Sequence, residues 1–145
     1  MIDPTVRPAR TDDLAQLDLL EHEARGALVG QRGGDRWLVE NPRVPWTDRL
    51  ENSDVWAAHI DDVVVGYLVA VLGDDRIVRI DQVWVTPGAR EVGFGDGLLA
   101  AAIDLARSAG AVAVEGQALP GDRHTKNLYE RAGIVARLIT TYRPL

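Results

Sequence analysis

Arg90, Gly93 and Gly95 are the residues whose types and spacing first suggest chemistry. They stand in the run Arg90-Glu91-Val92-Gly93-Phe94-Gly95-Asp96, after an apolar stretch, Val83-Trp84-Val85, and a turn at Pro87-Gly88. Phe94, Leu98, Leu99, Ala102, Ile103 and Ala106 recur at helical spacing, so the glycines open a helix over about 93–109. Free amides at a helix start point outward, and the helix dipole favours an anion there. Glycine lets a phosphate approach the backbone, and Arg90 adds a permanent charge with several donors. On this fragment alone, an anion site and a plain helix-opening turn fit equally well. Two other phosphate loops do not fit. No Gly-Lys-Ser/Thr follows, as a P-loop requires. A dinucleotide fingerprint follows an early parallel strand, whereas this loop follows three strands that read as antiparallel.

The elements that must position this loop are legible on either side. Thr5 to Ala9 reads as a strand. Thr11-Asp12-Asp13 opens a helix over 12–29, with Thr11 as the cap and the aspartates at the positive end. Residues 35–40 read as a short helix, and 41–53, with two prolines, as a loop. Val55–Ile60 and Val63–Leu72 form a hairpin across Asp61-Asp62. Ile77–Val85 is a third strand, with Ile80, Gln82 and Trp84 on one side by alternation. After the 93–109 helix come a buried strand (112–118), a short helix (125–132) and a last strand (134–142). The expected fold is one domain over 1–145, of the α+β type of α/β protein. Its sheet is mixed and mostly antiparallel, with helices on both faces.

In this order the elements resemble the GNAT superfamily of acyltransferases. The family pattern is a strand ending Val-x-Pro, then Arg/Gln-x-x-Gly-x-Gly/Ala, then an apolar helix. Here it stands as Val85-Thr86-Pro87, Arg90 to Gly95, and Leu98-Leu99. A second family element stands as Leu128-Tyr129-Glu130-Arg131-Ala132-Gly133-Ile134. The resemblance runs over nearly the whole chain. It implies a sheet splayed at its central strands, between the strand ending at Val85 and the strand 112–118. It implies coenzyme A as co-substrate, with the pantetheine arm in that V against the backbone of Val83, Trp84 and Val85. The diphosphate would lie on Arg90, Glu91, Val92, Gly93, Phe94, Gly95 and Asp96.

The implied reaction is acetyl transfer from acetyl-CoA to a primary amine of a small molecule or peptide by direct attack. It needs a base for the ammonium proton and an acid for the leaving thiolate. Tyr129, by its motif position, is the candidate acid. Asp81 is the candidate base or ammonium ligand: relatives often carry an acid there, and alternation points it the same way as Val83 and Val85. An aspartate paired with Arg79 is the plain alternative. His22, His59 and His124 read as surface residues, and no His/acid spacing suggests a metal site. Trp84 reads as core, while Trp37 and Trp46 flank a loop that covers the acceptor in relatives.

Three departures stand out. Asp122 and Thr125 occupy positions where relatives carry asparagine and alanine. Arg123 and Lys126 stand beside Asp122, placed to meet a 3′-phosphate. Glu91 replaces a small or basic residue. Glu91 and Asp122 leave room for an acyl-CoA sensor or regulatory domain without turnover. Only twelve residues follow Gly133, so the C-terminal strand region is shortened; an open edge there predicts a homodimer through the last strand. The net charge of −6 argues against nucleic acid and suits a cationic acceptor. Lys126 is the only lysine, beside fifteen arginines. The absence of cysteine removes disulfides and thiolate nucleophiles. No apolar run reaches membrane-spanning length and no leader is visible, so a cytoplasmic location is the default expectation.

Overall fold

The computed structural model describes residues 5–145. Five strands lie side by side in chain order: β1 (Thr5–Pro8), β2 (Asp54–Ile60), β3 (Val63–Leu72), β4 (Ile77–Val85) and β5 (Ala113–Gly116). All pairings are antiparallel except β4–β5, which is parallel and is reached through the crossover helix α4 (Phe94–Ser108). Helix α1 (Leu14–Leu28) is followed by α2 (Gly34–Glu40) and α3 (Trp46–Asn52), and α5 (Arg123–Arg131) follows β5.

Two cores lie on opposite faces of the sheet. On one, Leu98, Leu99, Ala102 and Ala106 of α4 and Leu128 of α5 pack on Leu68, Ala70, Val78, Ile80 and Val85. On the other, Leu17 and Leu20 of α1 and Trp46 of α3 pack on Val55, Ala57, Tyr67 and Val69. Each fully buried Leu contributes about 1.5–3 kcal/mol by leaving water.

The start of the first helical segment is fixed by Asp13 rather than Thr11. The Asp13 carboxylate accepts from the Arg10 amide at 2.8 Å and from both Arg7 guanidinium nitrogens at 2.7 and 2.9 Å. Residues 41–53 are not all loop, because Trp46–Asn52 is helical. Here a buried tryptophan, edge-on to Tyr67 at 5.1 Å between ring centres, outweighs the nearby prolines. β5 is shorter than expected and half-exposed at the sheet edge.

The expected last strand is not formed. Residues 134–145 have no regular structure, and Leu138 and Ile139 are 90% and 79% exposed. β-type composition alone does not make a strand where no backbone partner is offered.

Two bulges set which side chains face which core. Ala58 pairs with Gly66 but His59 with Val64, so Val65 is the extra residue in β3. Val69 pairs with Gln82 but Ala70 with Ile80, so Asp81 is the extra residue in β4. A bulge breaks the period of two. Hence Ile80, Val83 and Val85 all face α4, whereas Gln82 and Trp84 turn toward α1. The simple alternation of Ile80 with Gln82 and Trp84 is therefore wrong.

Candidate active site

β4 and β5 pair only from Ile77↔Ala113 to Ile80↔Gly116. Beyond that point β4 continues to Val85 without a partner on that edge among the described residues, so the sheet opens at the Asp81 bulge. Residues Asp81 to Val85 thus present an unpaired strand edge inside the protein, which is the splay expected from the sequence. Among the described residues, the Val85 carbonyl accepts a side-chain bond from Arg90 Nε at 2.9 Å.

Tyr129 marks the vertex of this V. It is buried, and a Cβ placed on Gly116 would lie 2.6 Å from its Cζ and 2.7 Å from its hydroxyl. Gly116, the last paired residue of β5, therefore makes room for the phenol. The hydroxyl has no hydrogen-bond partner among the described residues. Burial, and secondarily Asp122, hold its pKa well above the usual tyrosine value, so it keeps its proton across the neutral range.

The loop 90–95 forms a second recess, of about 310 Å³, lined by Arg90, Glu91, Gly93, Phe94, Gly95 and Asp96. Gly93 has φ 96°, a conformation that favours glycine, and no side chain caps the first turn of α4. Gly95 serves packing: a Cβ there would lie 2.9 Å from Leu128 Cδ1. The Arg90 guanidinium stacks over Trp84 at 4.7 Å and still has donors to spare. Glu91 is exposed and sits at φ 68°. Val92 is exposed and does not line the recess.

Lys126 points away from this recess into solvent. In its place the structure brings in His124, Asn127 and Arg131 from α5, the last bonded to Asp96 at 3.0 Å. Their spacing in the sequence hinted at this only through the helix they share with Tyr129. Asp122 is an N-cap: its Oδ1 accepts from the Thr125 amide at 3.1 Å. That is a role an aspartate fills as well as an asparagine.

Asp81 does not face the way of Val83 and Val85. The bulge turns it to the α1–α3 side, where it lines a cleft of about 530 Å³ with Gln82, Arg49, Trp37, Ser53 and Gly116. Nor does it pair with Arg79, which holds Asp75 at 2.7 Å and Glu115 at 2.9 Å. Asp81 is open to the cleft, yet the protein around its carboxyl group removes enough water to raise its pKa, against the pull of Arg49.

Behind Asp81 lies a polar cluster that the sequence did not reveal. Glu21 is fully buried, and its Oε2 accepts from Arg49 at 2.8 Å and Gln82 at 3.0 Å. The Tyr67 hydroxyl donates to Gln82 at 2.7 Å, and Arg43 Nε stands 3.3 Å from Glu21 Oε1. Trp84 Nε1 donates to Glu23 at 2.9 Å, while His22 is exposed. No group of three or more metal-ligating side chains occurs among the described residues.

A mixed sheet opened at its parallel pair, with an uncapped glycine loop at the start of the crossover helix, has the architecture of acyl-CoA-dependent acyltransferases. The chain belongs to the acetyltransferase (GNAT) family, whose model matches residues 14–134. Solved structures agree in fold. A BH1408 protein variant from Bacillus halodurans is 19% identical with a TM-score of 0.77, over 97% of this chain and 99% of that one. The aminoglycoside acetyltransferase AAC(6')-Iy, bound to a CoA–acetylneamine bisubstrate analogue, is 16% identical with a TM-score of 0.71, over 99% of each chain. A ribosomal-protein-alanine N-acetyltransferase from Brucella melitensis biovar Abortus is 16% identical with a TM-score of 0.71, over 98% of each. At such identities the likeness is one of fold. No curated protein sequence matches the chain. None of its helices, among the described residues, is long and apolar enough to cross a membrane.

Proposed function

We propose that the protein is an N-acetyltransferase that moves an acetyl group from acetyl-CoA to a primary amine by direct attack. The carrying observation is the vertex of the V. There a buried, protonated and unpartnered Tyr129 hydroxyl meets the last paired residue of β5, and the unpaired edge of β4 begins. Acetyl-CoA supplies the thioester. Residues 91–96 hold its diphosphate through the free amides of α4, with Arg90 beside them. The Asp81–Val85 edge offers backbone groups to the extended arm. Tyr129 donates its proton to the departing thiolate.

Asp81, at the bulge, takes the acceptor side. Its raised pKa suits a carboxylate that receives a proton from an ammonium, directly or through water. Among the described residues that line this cleft it is the carboxylate without an ion-pair partner, since Glu115 and Glu40 are held by arginines. This favours a cationic acceptor, with Trp37 as an aromatic wall. A second copy of the chain is the further partner proposed, through the unpaired tail 134–145 with its exposed Val135, Leu138, Ile139 and Tyr142. A monomer by light scattering at high concentration would sink that part.

The test of the activity is thiol release from acetyl-CoA over a panel of primary amines, alongside calorimetry with acetyl-CoA. Release with at least one cationic amine is expected. Tight binding with no turnover on any amine would replace the enzyme reading with a sensor domain.

A further inference from the structure

The recess at the start of α4 holds a basic side chain for which the proposed reaction has no use. His124, in the first turn of α5, is half-buried there. It shares the recess with Arg90 and Glu91 of the loop, Asp96 of α4, and Asn127 and Arg131 of its own helix, and Asp122 lies close by. Four of these charged groups already have a partner: Arg90 bonds the Val85 carbonyl through Nε, Arg131 and Asp96 pair with each other, and Asp122 accepts from the Thr125 amide. Glu91 is exposed. The His124 ring has no hydrogen-bond partner among the described residues. Burial, and then Arg90, push its pKa below the usual imidazole value, with Asp122 pulling the other way. The free protein therefore holds this ring neutral at pH 7.

A diphosphate seated on the α4 amides brings negative oxygens into the same recess and reverses that balance. We propose that His124 is a proton-linked ligand of the CoA diphosphate: its ring takes up a proton as the diphosphate enters the recess and donates an N–H to it. This rests on the CoA reading of the loop. The sign follows directly. A group whose pKa rises on binding strengthens binding as pH falls toward its free value. CoA is thus held more tightly in mildly acidic than in alkaline solution.

CoA itself complicates the measurement, because a phosphate monoester titrates near pH 6. The probe is therefore dephospho-CoA, which keeps the diphosphate and lacks the 3′-phosphate. Wild type is expected to bind it about 3–6-fold more tightly at pH 6 than at pH 8, the effect of a ring pKa that starts below the usual imidazole value and is displaced by about one unit. Calorimetry in buffers of different ionisation heat should show proton uptake. His124→Gln should flatten the pH dependence to within about twofold. An NMR titration of the wild-type His124 ring, which needs no variant, should show its pKa rising when dephospho-CoA is added. Binding with an unmoved ring pKa, or an unchanged pH slope in a folded H124Q protein, overturns the role of His124 alone. No binding of dephospho-CoA at any pH overturns the loop reading and the proposal with it.

Discussion

Tyr129→Phe removes one oxygen from the vertex of the V and leaves the ring that packs there. The hydroxyl makes no hydrogen bond among the described residues, so its loss leaves no buried partner unsatisfied. Stability should change by about 0.5 kcal/mol or less. Tyr129→Ala would instead empty a buried site beside Gly116 and cost about 3–5 kcal/mol, confounding chemistry with folding. If the phenol protonates the thiolate, Y129F should lower the rate of thiol release by about 10²–10³-fold, or about 3–4 kcal/mol of barrier.

The assay is single-turnover thiol release with saturating acetyl-CoA and amine, so that product release does not mask the chemical step. Binding of CoA, measured separately by calorimetry, should stay within about twofold, because the hydroxyl is not part of the diphosphate recess. The raised pKa of Tyr129 adds a further expectation: no alkaline decline below about pH 10 belongs to this residue. A Y129F protein with an unchanged melt and a single-turnover rate within about twofold of wild type would refute the acid role.

Other expectations follow from particular contacts. Asp81→Asn should lower kcat/KM by about 10²-fold and abolish the acid limb of its pH profile; in wild type that limb should lie above the ordinary aspartate value, since Asp81 has its pKa raised. Asp13→Asn should cost about 1–2 kcal/mol at pH 7, read by thermal melts, because the Arg7 pair and part of the bond to the Arg10 amide are lost. Chiefly through the Arg7 bond, Asp13 is held below its usual pKa, so its contribution is complete above about pH 4 and fades as pH falls through the lower folded value. The gap between wild type and D13N should therefore narrow in melts below pH 3. Gly95→Ala should destabilise by about 1–3 kcal/mol through contact with Leu128, and Leu128→Val in the same chain should restore part of that loss, since the two changes share one clash.

The order of strands and helices was readable because apolar periodicity is strong in α1, α4 and the three central strands. The glycine loop was readable because its chemistry is local. What escaped was non-local. α3 depends on Trp46 meeting Tyr67, a contact across the fold. The C-terminal residues carry strand-like composition, but no strand among the described residues pairs with them. Glu21 stands in a run of three polar residues, Glu21-His22-Glu23, which helical spacing turns in different directions. Its burial follows from Arg49, twenty-eight positions away, and Gln82, sixty-one away. Lys126 and His124 lie two positions apart on α5, and the helix turns one outward and the other into the recess.

The bulge at Asp81 joins these observations. Were Asp81 paired in the ladder instead of bulged out, every side chain from Gln82 to Val85 would exchange faces. Gln82 would enter the apolar core under α4, and Val83 and Val85 would leave it for the polar cluster around Glu21. The extra residue cannot remain paired in the ladder. The pairing with β5 ends one residue before it, at Ile80, and Asp81 turns toward the cleft on the α1–α3 side. One inserted residue thus coincides with the opening of the strand edge proposed for the CoA arm and with the placing of the carboxylate proposed for the acceptor. Deleting Asp81 would make the β3–β4 ladder regular and leave Gln82 to Val85 on their present faces, so it should spare the core while closing the bulge and removing the carboxylate, weakening CoA binding and turnover together; Asp81→Asn, which keeps the bulge, should spare the fold and CoA binding.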